Sequence, residues 1–106
     1  MGDLYFDPQG ADFTKWIHHF QDQIYRNWLI PESFRAGSRG RADFEFTVER
    51  SGSLSALRLL KSTGSPSLDR AGQNALTASS FAELPREYRP PRVTMTITFY
   101  YNDVPK

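Results

Sequence analysis

The spacing of apolar residues changes period along the chain, and each change marks an element. From Asp12 onward, Phe13, Trp16, Ile17, Phe20, Ile24 and Trp28 recur three or four positions apart, one apolar stripe over about four turns of an amphipathic helix. Asp12 stands where an N-cap belongs, and Pro31 closes the segment. ESFRAGSRGR follows as a loop. From Arg41 the period becomes two: Ala42, Phe44, Phe46 and Val48 alternate with Asp43, Glu45, Thr47 and Glu49, as in a half-buried strand. Arg50-Ser51-Gly52 reads as a turn, with Gly52 supplying positive φ.

The second strand spans about Ser53 to Lys61, and its phase slips. Leu54 and Leu57 are three apart while Leu57 and Leu59 keep period two, which predicts a bulge near Ser55-Ala56. A second helix opens at Ser65-Pro66, the cap and first position that tolerate these residues best. Its inner face is Leu68, Ala71, Gly72, Ala75, Leu76 and Ser79, small enough to let the axis lie close on a sheet. Phe81 and Leu84 close the segment before Pro85, and PREYRPPR runs on as an extended connection. Val93, Met95, Ile97, Phe99 and Tyr101 then alternate with Thr94, Thr96, Thr98 and Tyr100, the clearest strand in the chain.

The order helix–strand–strand–helix–strand predicts an α+β domain in two layers: a three-stranded antiparallel sheet with two helices on one face. Residues 1–11, which show no period, are a flexible lead-in; the domain runs over 12–102, and 103–106 form a tail. The other sheet face, with Asp43, Glu45, Thr47, Arg58 and three threonines, is open to water.

Composition narrows the functional classes. The chain has 106 residues, enough for one domain with a real core and too few for two. It has no cysteine, which excludes disulfides and thiolate metal sites. Thirteen basic against twelve acidic residues give +1, too balanced to point to nucleic acid or an anionic membrane. No apolar run reaches the roughly 20 residues of a membrane span, and MGDLYFDPQG lacks the basic and apolar regions of a signal peptide. Any anchor or export signal is therefore expected outside this stretch.

The candidate chemistry is thin. His18 and His19 are adjacent, so on a helix they point about 100° apart and do not converge on one metal. Asp43, Glu45 and Glu49 share a strand face, but a wet one, where nothing tunes a carboxylate for acid–base work. No nucleophile motif is present, no cofactor is expected, and the reading is of a protein that is not an enzyme. Arg35, Arg39 and Arg41 lie in a glycine-containing loop without the Lys-Ser/Thr of a phosphate loop. Arg86, Arg89 and Arg92 with Tyr88 form a stacking-plus-charge pattern that makes single-stranded nucleic-acid binding the rival reading.

The strongest feature is an edge. Val93, Thr94, Met95, Thr96, Ile97, Thr98, Phe99, Tyr100 and Tyr101 form a long strand with no charge and no proline. Proteins usually blunt such an edge, and one left open is suited to accept an extended peptide as an added strand. It can also pair with a copy of itself, which admits a strand-exchanged homodimer.

Taken in order, GRADFEFTV (40–48), RSGSL (50–54), ALRLLKSTG (56–64), PSLDRA (66–71), FAELP (81–85) and VTMTITF (93–99) resemble the C-terminal domain of the TonB family and of the related TolA type. The preceding Asn27-Trp28-Leu29-Ile30-Pro31 is similar to the family's entry segment, with Trp-Leu-Ile-Pro standing where the TonB type has Gln-Tyr-Pro. The resemblance implies a periplasmic domain of an inner-membrane-anchored protein. It implies an extended segment of an outer-membrane transporter or other envelope protein bound along the last strand. Energy from the protonmotive force would arrive from an inner-membrane motor complex through a region N-terminal to this chain. A TolA-like envelope-integrity adaptor is the alternative within the same resemblance.

Overall fold

The structure, a computed structural model, describes residues 3–29 and 39–101. Six elements follow one another: β1 (Leu4–Tyr5), α1 (Thr14–Asn27), β2 (Gly40–Glu49), β3 (Leu54–Lys61), α2 (Pro66–Ala78) and β4 (Arg92–Tyr101). They form one antiparallel sheet in the order β1-β4-β2-β3, with both helices contributing to the core on one side.

The sheet has four strands where the apolar pattern predicts three. The extra strand comes from the lead-in: Leu4 pairs with Ile97 and Tyr5 with Thr96. Two residues are too few to show a period, and their partner lies at the far end of the chain. Pairing of this kind is fixed by tertiary contact rather than local pattern.

The two-residue alternation of β2 and β4 is borne out residue by residue. Ala42, Phe44, Phe46 and Val48 are buried, as are Val93, Met95, Ile97, Phe99 and Tyr101. The two strands pair along their whole length, from Gly40 with Tyr101 to Glu49 with Arg92. The expected bulge lies at Ser55, because Thr47 pairs with Ala56 while Val48 pairs with Leu54. A second shift occurs between Asp43 and Phe44, which pair with Lys61 and Leu59 and leave Leu60 as the extra residue. Leu59 and Leu60 are 42% and 47% exposed, so the outer strand carries apolar side chains past the cover of the helices.

Helix α1 buries Trp16, Phe20 and Ile24, every one from the predicted stripe. Phe13 is the N-cap residue, and the Asp12 carboxylate accepts the Thr14 N–H at 2.9 Å from just upstream. Trp28 ends the helix as its C-cap; Pro31 lies outside the described residues. Trp16 stacks on Phe20, Phe20 on Phe46, and Phe81 packs against all three, so one aromatic column joins helix to sheet.

Helix α2 begins at Pro66 with Ser65 as N-cap, and its buried face is Leu68, Ala71, Gly72, Ala75 and Leu76. The small face has the expected purpose. A methyl group added at Gly72 would stand 2.9 Å from the Phe44 ring and 3.1 Å from that of Phe99. Gly52 meets a stricter condition: its φ is +96°, and a Cβ there would lie 2.4 Å from the Phe81 carbonyl oxygen. The β2–β3 turn is thereby pressed against the chain leaving α2.

Arg50 binds that chain. Its guanidinium donates to the carbonyl oxygens of Pro85 at 3.1 Å, of Pro90 at 2.6 Å, and of Tyr88. The backbone adds Arg50 N–H to Pro91 O and Leu84 N–H to Arg50 O. Proline-rich segments have few amides to form a ladder of their own. Here an arginine satisfies the carbonyls instead and fixes the point from which β4 starts.

Candidate functional site

The outer edge of β4 is the site that sequence favours, and the structure defines its geometry. Thr98 donates its N–H outward to the carbonyl of Asp3 at 3.0 Å. Main-chain groups alternate along a strand, so the amides of Thr94 and Thr96 face the same way, while those of Met95 and Ile97 face β2. The β1 ladder reaches only Thr96 and Ile97. From Val93 to Met95 the outer edge carries no strand among the described residues.

The side chains on either side of this edge differ. Toward the helices lie Val93, Met95, Ile97, Phe99 and Tyr101, all within the core. On the other face lie exposed Thr94, half-buried Thr96 and Tyr100, and Thr98. Thr98 is buried, where the sequence pattern predicts a face open to water, because Asp43 and the β1 segment lie against it. The Thr98 hydroxyl donates to Asp43 at 2.7 Å, and the hydroxyls of Thr47 and Thr94 meet at 3.0 Å. Tyr100 donates to the Asp3 carboxylate at 3.3 Å. Burial first, and then the charge of Asp3, hold the Tyr100 phenol above its ordinary value. Between Val93 and Tyr101 the strand presents no charged group to a partner.

The C-terminal end of β4 is anchored. The Tyr101 hydroxyl donates to Leu68 O at 2.9 Å and accepts the indole N–H of Trp28 at 2.9 Å. Burial pushes this phenol up to about 12. One oxygen thus joins the end of α1, the start of α2 and the end of β4. The apolar alternation places Tyr101 on the inner face but does not show which groups its hydroxyl joins, and the clamp at Arg50 is missed because a turn arginine looks like a surface residue. The three prolines of PREYRPPR are the signal available for the clamp: they leave carbonyls that a side chain has to satisfy.

The other candidates do not assemble into a site. His18 and His19 are exposed, and His19 Nε2 lies 3.0 Å from Ser80 O. No group of three or more metal-ligating side chains occurs among the described residues. Each strand carboxylate already has a polar partner: Asp43 the Thr98 hydroxyl, Glu45 the Arg58 guanidinium at 3.2 Å, Glu49 Ser55 and Arg92. The Ser55 hydroxyl, and then Arg92, hold the Glu49 carboxyl below its ordinary value.

Arg86 and Arg89 are exposed, but the Tyr88 ring between them is 4% exposed and packs edge-on against Phe13 at 5.3 Å. It offers no face for a base to stack on. Arg41 lies 4.0 Å from Asp43, and Arg35 falls outside the described residues.

Comparison with known proteins decides the family. The family model described as TonB C terminal matches residues 13–99, nearly the whole described chain. The chain belongs to the TonB C-terminal family. Members of this family are interaction domains, not enzymes, and no catalytic family is indicated. Among solved structures, the chain is similar to the C-terminal domain of Helicobacter pylori TonB. The TM-score is 0.67 at 19% identity, over 93% of this chain and 91% of that one. The C-terminal domain of HasB aligns at TM-score 0.57 and 27% identity, over 88% of this chain and 72% of that one. That of Pseudomonas aeruginosa TonB aligns at 0.52 and 23%, over 74% and 79%. No curated protein sequence matches the chain. As a TonB C-terminal domain, the molecule has its two helices and antiparallel sheet where the family expects them, and no described helix is long and apolar enough to cross a membrane.

Proposed function

We propose that this domain is the periplasmic, partner-engaging end of an inner-membrane-anchored protein, and that it takes an extended segment of an outer-membrane transporter or other envelope protein along the outer edge of β4. The observation that carries the reading is the form of that edge. It is a ten-residue strand with outward amides at Thr94, Thr96 and Thr98, no charge from Val93 to Tyr101, and a neighbour pairing with only two of its residues. Main-chain hydrogen bonds supply affinity in strand addition, and the flanking side chains set register. Family membership supports the envelope setting, in which a protonmotive-force-driven motor complex of the inner membrane delivers energy through the protein's N-terminal region.

The test is an amide NMR titration with peptides tiled across the periplasm-facing N-terminal segments of outer-membrane transporters. The expected shifts centre on residues 93–101 and on their ladder partners in β2. Shifts confined to the β2–β3 turn or to Arg86, Arg89 and Arg92 would move the binding surface elsewhere and refute the reading.

A further inference from the structure

The edge assigned to the partner is already occupied over its middle by the chain's own Asp3–Phe6. We infer that this segment is a strap that competes with the partner for β4, so that engagement requires the strap to peel away; the inference rests on β4 being the partner-binding strand. The strap uses the same groups an added strand needs. Asp3 O holds the Thr98 N–H, and Leu4 and Tyr5 sit opposite Ile97 and Thr96, in the middle of the strand. A segment running the length of β4 meets the strap before it completes its ladder.

The hold is weak by construction. Two residue pairs make the ladder, Leu4 and Phe6 are only half-buried, and Tyr5 is 61% exposed. Beneath the strap, a cleft of about 480 Å³ opens toward α1, lined by Leu4, Phe6, Phe13 and Ile17 among others. The strap's apolar contact is confined to Leu4 and Phe6, which pack on the margin of the core, Phe6 edge-on to Phe13 at 4.7 Å, with the cleft beside them. Neither side chain is fully enclosed, so less is lost on release than from a core position. Its polar ties are exposed: the Asp3 carboxylate accepts the hydroxyls of Tyr5 at 3.1 Å and Tyr100 at 3.3 Å.

A pivot follows. Asp7 caps the Gln9 N–H at 2.9 Å, Ala11 N–H returns to Pro8 O at 2.9 Å, and Gln9 and Gly10 take φ of +49° and +81°. Immediately after this turn, Phe13 is buried and fixes α1. The strap can therefore leave β4 about residues 7–11 while the helix stays in place. A tethered competitor lowers apparent affinity by the fraction of molecules whose edge is open.

The chain contains no cysteine, so a lock can be introduced cleanly. Tyr5 and Thr96 are directly opposed. Their Cα atoms should lie about 4.5–5.5 Å apart, within disulfide reach. The probe is a labelled synthetic copy of residues 2–8, GDLYFDP, added to the full chain. Strap-released Leu4→Ser/Phe6→Ser should bind it at β4 at least about tenfold more tightly than the unsubstituted chain. Oxidised Tyr5→Cys/Thr96→Cys should not bind it, and reduction of the same sample should restore binding.

An oxidised form that binds as well as the reduced one overturns the strap while leaving β4 as an acceptor. Binding to none of the four samples refutes β4 as an acceptor, and the strap with it. Matching near-ultraviolet dichroism spectra of the oxidised and reduced forms under native conditions exclude a change of fold as the cause, while the disulfide itself should raise the oxidised form's unfolding midpoint.

Discussion

At the scale of single residues, stability is concentrated where one polar atom serves several elements. Tyr101 is the clearest case, since its buried oxygen satisfies Trp28 and Leu68 together. Tyr101→Phe keeps the ring and leaves an indole N–H and a carbonyl without that partner, a cost of about 1–3 kcal/mol in denaturant-derived stability. Asp69 is a second case. Burial alone would raise its pKa, but the Ser62 hydroxyl and the amide and hydroxyl of Thr63 outweigh it and hold the carboxyl below its ordinary value of 3.8.

A lowered carboxylate stabilises the fold above its ordinary pKa, and that contribution disappears as pH falls through the folded value. Asp69→Asn should therefore cost about 1–2 kcal/mol at neutral pH. The gap to the unsubstituted chain should close below roughly pH 4, as urea titrations across pH would show. A gap that stays constant to pH 2 would mean that shape, not charge, is what Asp69 supplies.

At the scale of elements, β4 tolerates what a central strand ordinarily would not. Its even-numbered amides point away from β2, so Thr96→Pro removes no bond from the β2–β4 ladder. The substituted chain should keep its far-ultraviolet dichroism and lose the β1 pairing at Tyr5, with stability lower by about 1–3 kcal/mol. Strand addition at β4 should be lost altogether, read in the same NMR titration.

Most elements were legible from the chain because each carries its own period. The Leu54–Leu57 spacing disclosed the bulge at Ser55, and the small face of α2 disclosed its close approach to Phe44 and Phe99. The shift at Leu60 was hidden, since one more leucine in Leu59-Leu60 looks like continued strand. The strap was hidden for a different reason: Leu4 and Tyr5 are only two residues, pair with residues more than ninety positions away, and leave no local trace. Sequence therefore placed a strand at Val93–Tyr101 but showed its outer side as open when part of it is taken.

At the scale of the molecule, both helices and the three long strands share one core, and Trp16 and Trp28 report from either end of α1. Unfolding should be a single cooperative event, with tryptophan fluorescence and far-ultraviolet dichroism giving coincident transitions. A fluorescence change that precedes the dichroism change would show α1 leaving the sheet as a separate unit.

The strand order also governs how the domain can be made. Because β4 lies between β1 and β2, the last strand to be synthesised sits inside the sheet. Until it emerges, the nascent chain has only the β2–β3 hairpin and two helices around an apolar face that nothing completes. Such a chain stays unfolded for most of its synthesis. For a domain exported as proposed above, that delay is an advantage: closure waits for Arg92–Tyr101.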